Sequence, residues 1–186
     1  MLTLSSSHGL RLCSSDRRFG IDLGTDHIAA LICGCQRASS RETGGVLIGY
    51  YNPNHDMAFV TEVASAPPDS KHETSWFHRG VKGLTRKLKE CWRKTGSFYL
   101  GEWHYHPGAA PHPSPTDSSQ MALIASSPLY ACPEPILLII GGMSGAWTVG
   151  AFVYEKENVR HTLSRCDSEV DGGGKNGKSS DTPAHG

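Results

Sequence analysis

The stretch Gly101-Glu-Trp-His104-Tyr-His106-Pro107-Gly-Ala-Ala-Pro-His-Pro-Ser114-Pro-Thr-Asp117 decides how this chain is read. Ser97 to His106 has the make-up of a strand. Side chains on a strand alternate between faces, so His104 and His106 leave the same face. Their Cα atoms stand about 6–7 Å apart, close enough for two imidazole nitrogens to meet one ion. Pro107, Pro111, Pro113 and Pro115 stiffen the loop that follows. That loop delivers Asp117 at the start of a short helix running to Ser126. Asp117 also fits a helix cap, with Gln120 three residues on completing a capping-box-like pattern. Two histidines and one carboxylate leave a tetrahedral zinc ion with an open position, the arrangement of a catalytic site. The same three groups also suit non-haem iron.

Working outward, a site of this kind needs a base that is not a ligand and a group to steady an oxyanion. Glu42 is the candidate base. It lies where a helix gives way to a strand, and two glycines after it (Gly44, Gly45) let the backbone turn. Ser114, three residues before Asp117, can point its hydroxyl into the same site. Glu102 either orients a ligand or is idle, and Trp103 is expected in the core. His112 reads as a surface residue.

The flanks are consistent with one mixed domain. Residues 1–18 are polar and expected to carry little structure. Residues 19–165 form the domain, and 166–186 are expected to be disordered: the last 20 residues hold five glycines and no aromatics. A strand over 19–24 precedes a helix from Thr25 or Asp26 to about Arg37, with Ile28, Leu31, Ile32 and Cys35 on one face. Val46–Tyr51 and Met57–Ala64 make a hairpin. Arg79–Thr95 is expected as a helix carrying seven basic residues, either a solvated face or a dock for an acidic partner. Trp76 and Phe77 pack or line a groove. Strands over Pro135–Gly141 and Ala146–Tyr154 follow. The expected fold is α/β (α+β), a mixed and mainly antiparallel sheet flanked by helices.

Composition excludes several classes. The chain has 186 residues, with 18 Lys plus Arg against 18 Asp plus Glu. Zero net charge argues against a protein that coats nucleic acid. The neutrality is partly a cancellation: residues 1–166 hold 16 bases and 14 acids. The apolar run Ile136–Ile140, like every other in the chain, is far below the roughly 20 residues of a membrane helix. Six scattered cysteines form no C-x-x-C pair, and the N-terminus lacks a basic start and a long apolar segment. These features point to the cytoplasm. A monomer is compatible with the sequence.

His104-x-His106, seven residues, Ser114, two residues, Asp117, with Glu42-Thr-Gly-Gly-Val-Leu-Ile-Gly49 upstream, resembles the JAMM motif of the MPN (JAB, Mov34/PAD-1) metallopeptidases over about residues 20–155. The resemblance implies zinc on His104, His106 and Asp117, Glu42 activating a water, and Ser114 holding the tetrahedral intermediate. Tyr105 departs from the usual Ser or Thr between the histidines. Its side chain is expected to point away from the metal. Tyr99-Leu-Gly-Glu-Trp-His104 and Trp76-Phe-His-Arg79 look like bacterial stand-alone JAB proteins, notably the isopeptidases of CBASS anti-phage operons. That resemblance implies cleavage of the amide joining a C-terminal tail to a lysine. The conjugated protein would be a cyclic-nucleotide synthase (CD-NTase) or a ubiquitin-like protein. Processing of a ubiquitin-like sulfur carrier and a non-catalytic MPN scaffold are the rival readings.

Overall fold

A computed structural model describes residues 2–72, 77–143 and 145–166. Trp76 and the tail from 167 onward lie outside the described residues. The elements run β1 (Leu2–Thr3), β2 (Leu10–Cys13), β3 (Gly20–Leu23), α1 (Thr25–Ala38), β4 (Thr43–Tyr51), β5 (Ala58–Ser65), β6 (Lys71–His72), β7 (Phe77–His78), α2 (Leu84–Thr95), β8 (Phe98–Pro107), α3 (Pro115–Ser126), β9 (Ile136–Met143), β10 (Ala146–Tyr154) and β11 (Arg160–Arg165). The first eighteen residues are therefore not bare coil. β2 pairs with both β3 and β11, because Leu10 and Leu12 have an apolar surface to cover.

Nine strands follow the order β1-β10-β11-β2-β3-β5-β4-β8-β9, and β9 pairs again with β10. The sheet thus closes on itself, which leaves few free strand edges. It is mixed and mainly antiparallel, as expected. β3–β5 and β8–β9 are the parallel pairs. One core gathers inside the ring: Leu12, Ile21, Leu47, Trp103, Leu138, Val149 and Leu163 meet Ile28, Leu31 and Cys35 of α1. A second lies outside, where Met121 and Ile124 of α3 cover Val46, Tyr99, Leu137 and Phe152, with Leu84 and Leu88 of α2 alongside.

The β4–β5 hairpin turns on Asn52, whose Oδ1 accepts the N–H groups of Asp56 and Met57. Gly44 and Gly45 lie within β4 rather than at a turn. Gly45 is needed for close approach: a Cβ there would strike the Ala64 carbonyl, which accepts the Trp103 indole N–H at 2.9 Å.

α2 begins at Leu84, not Arg79. Asp69 captures the N–H groups of Val81 and Lys82, each at 3.0 Å. The Arg79 side chain is drawn inside to Glu102. Five of the seven basic residues remain on the helix: Arg86, Lys87, Lys89, Arg93 and Lys94. Gly96, left-handed at φ 66°, ends it. No helix among the described residues is long and apolar enough to cross a membrane.

β8 carries a bulge. Leu47 of β4 stands opposite Gly101, but Ile48 stands opposite Tyr99, so Leu100 is an extra residue. Gly101 takes φ 151°, and a Cβ there would collide with the Ile136 backbone. Gly101→Ala should therefore destabilise the protein by more than about 2 kcal/mol. Chemical denaturation would read this as a lower midpoint.

Candidate metal centre

Beyond the bulge, β8 alternates cleanly. Trp103 and Tyr105 enter the inner core, while Glu102, His104 and His106 share the outer face. The Tyr105 hydroxyl donates to the carbonyls of Ser39 (3.1 Å) and Gly142 (3.3 Å), away from the histidines as expected. β8 and β9 run parallel and are joined by α3. The site sits at the C-terminal end of β8, where the crossover begins.

The first turn of α3 brings in the third donor. Ser114 is the N-cap and Pro115 opens the helix. The Asp117 N–H donates to Ser114 Oγ at 3.1 Å, and Asp117 Oδ2 accepts from the Ser114 N–H at 2.8 Å and from its Oγ at 2.7 Å. The capping box is thus Ser114 with Asp117. Gln120, expected as its partner, instead reaches Glu102. Asp117 Oδ1 is left to face His104 Nδ1 at 2.8 Å, and Oδ2 lies 3.6 Å from His106 Nε2. One donor atom each from His104, His106 and Asp117 falls within 4.8 Å of the others. His104 and Asp117 are buried, at 4% and 8% exposure.

The charges respond to this packing. Burial disfavours the imidazolium of His104, but hydrogen bonds to Asp117 and Glu102 outweigh it and raise the group to about 9. Burial works against the Asp117 carboxylate, yet His104 and Ser114 hold it down at about 2. His106 is lowered, chiefly by burial.

Glu42 immediately precedes β4, whose Thr43 pairs with Tyr105 and Gly44 with His104, so the chain at Glu42 runs beside His106. It is half-buried, and burial followed by the charge of Asp117 raises its pKa. A cleft of about 280 Å³ opens next to it, lined by Arg37, Arg41, Ser65 and Trp103 among others. His112 is exposed.

Glu102, read from the sequence as orienting a ligand or idle, is wholly buried and linked to His104 Nε2 at 3.3 Å. Two residues have roles here that sequence reasoning did not give them: Arg79, expected on a helix, and Gln120, expected to complete a cap at Asp117, both bond Glu102. Nothing local signals Arg79.

The family model for prokaryotic homologues of the JAB domain matches residues 24–152. A protein of Enterobacter hormaechei named CD-NTase/cGAS isopeptidase is 39% identical over 136 residues, 73% of this chain and 75% of its own length. Proteins of the same name from Escherichia coli and Vibrio cholerae are 31% identical over 113 residues and 35% over 109. They are covered to 67% and 65% of their lengths, by 59% and 57% of this chain. A solution structure of a Desulfitobacterium hafniense protein shares the fold, with a TM-score of 0.54 at 19% identity over 75% of this chain and 85% of that one. This chain belongs to the prokaryotic JAB-domain family.

Proposed function

We propose that the protein is a zinc-dependent isopeptidase that releases a conjugated protein by cutting the amide between its C-terminal tail and a lysine. The observation that carries this is the cluster of His104, His106 and Asp117 donor atoms, with Glu42 beside it. Two imidazoles and one carboxylate fit zinc and leave a position for substrate or water. The intact donor set weighs against a scaffold role. The iron reading gives Glu42 and Ser114 no work. Zinc held there would polarise the scissile carbonyl and acidify a water.

The chain's own residues do the rest. Glu42, with a raised pKa, takes the proton of the attacking water and passes it to the departing lysine amine. Ser114 turns its hydroxyl from Asp117 to the developing oxyanion. Among the described residues, β5 meets β3 only through Ala58 and Phe59. The edge from Val60 to Ser65 therefore has no strand partner on that side, and Ser65 borders the cleft beside Glu42. An extended tail added along this edge would reach the site. The names of the relatives favour a CD-NTase as the conjugated protein, and the motif resemblance to CBASS isopeptidases favours the setting of anti-phage defence. Six free cysteines fit a reducing, cytoplasmic setting.

Incubation with fusions bearing candidate tails, with and without a chelator, tests the reading, and mass analysis locates the cut. Glu42→Ala should keep zinc and lose about 10²–10⁴-fold in rate. Full activity in that variant would remove Glu42 as the base. Ser114→Ala should lower kcat about 10²–10³-fold and cost the α3 cap about 1 kcal/mol. A stability loss with kcat unchanged would leave Ser114 as a cap alone. The pKa of His104, raised to about 9, favours its protonated form in the metal-free state, and a ligand must be neutral. Zinc uptake at pH 7.5 should thus release about one proton. Titration calorimetry in buffers of different ionisation heat measures it, and no release would contradict a protonated His104 in the metal-free state.

A further inference from the structure

We propose that Glu102 is a positioning residue for the metal: it holds the Nε2–H of His104 and thereby sets the ring's orientation and the site's metal affinity. This rests on the zinc reading above. Glu102 is 0% exposed and sits two residues before His104 on the same face of β8. Its carboxylate is anchored from three directions. Arg79 Nε donates to Oε1 at 2.7 Å, the Tyr99 hydroxyl to Oε1 at 3.3 Å, and Gln120 Nε2 to Oε2 at 3.1 Å. Arg79 is itself fixed, with Nη1 on the Gly80 carbonyl at 3.1 Å and Nη2 on the Tyr130 hydroxyl at 3.2 Å. The remaining reach of Oε2 is to His104 Nε2, at 3.3 Å.

The direction of that contact matters. The other ring nitrogen, Nδ1, faces Asp117 Oδ1 at 2.8 Å, and Asp117 is one of the three grouped donors. A neutral imidazole carries one N–H. When Nδ1 offers its lone pair to a metal, the proton must sit on Nε2, where Glu102 waits to accept it. A carboxylate behind a ligating histidine fixes the tautomer and raises the basicity of the ligating nitrogen. Stability alone is a poor reason for the network. A buried ion pair is commonly no better than well-packed apolar residues of the same volume.

Glu102→Gln keeps the shape and removes the charge. We expect zinc affinity, measured by competition with a chromophoric chelator, to fall about 10–100-fold. The visible spectrum of the cobalt-loaded protein should shift. Gln120→Ala releases Oε2 without touching the ion pair with Arg79. It should weaken zinc binding in the same direction by a smaller factor, and it decides the matter if Glu102→Gln does not fold. Wild-type zinc affinity and an unshifted cobalt spectrum in the folded variants would overturn the proposal, even if their unfolding temperatures drop. A wild-type protein that takes up no zinc would overturn the metal reading and this proposal together.

Discussion

The bulge at Leu100-Gly101 is the constraint on which the site depends. Before it, Tyr99 faces the outer core. After it, odd-numbered residues face inward and the even-numbered Glu102, His104 and His106 face outward. A strand of constant parity would place Tyr99 and the histidines on opposite faces. The extra residue lets Trp103 and Tyr105 fill the closed barrel while three polar side chains gather under α3. Gly101 is the residue type that permits it, because the backbone of β9 passes where a Cβ would be.

The same strand couples the metal site to both cores. Tyr105 ties the end of α1, through Ser39, to the end of β9, through Gly142. Trp103 ties β8 to Ala64 of β5 over Gly45 of β4, and it borders the cleft beside Glu42. His104 and His106 therefore alternate with two of the largest buried side chains, and a well-packed interior holds position to within small displacements. A donor set confined to 4.8 Å needs such a frame.

Local chemistry made the donor set legible in the sequence. Period-two spacing places His104 and His106 on one face, and prolines with a helix start return Asp117. The hairpin, α1 and the last long strands were legible from alternation and turn residues. Barrel closure was not, because β2 and β11 are short and their pairing is between the two ends of the chain. The start of α2 was misjudged for a similar reason. The apolar period ran back through Val81, but a distant Asp69 bonds the N–H groups there, and a buried partner claims Arg79. Asp117 looks like a cap in the sequence because Gln120 stands three residues on. The true cap lies three residues before Asp117, at Ser114, in a box that also aims Asp117 at His104.

Three carboxylates within one site are driven apart by their surroundings. Glu42 has burial and the Asp117 charge against its ionised form, and is raised. Asp117 is buried too, but His104 and Ser114 bond its ionised form and hold it at about 2. Glu102 is buried more deeply than either, yet hydrogen bonds from His104 and Arg79 with the Arg79 charge lower it. Burial is common to all three, so burial does not assign the roles. Donors do: a carboxylate surrounded by N–H and O–H groups stays ionised and serves as an anchor, and one beside a like charge gains proton affinity. That rule supports the proposal of Glu42, at the cleft, as the proton carrier, while Asp117 and Glu102 flank His104 on its two sides.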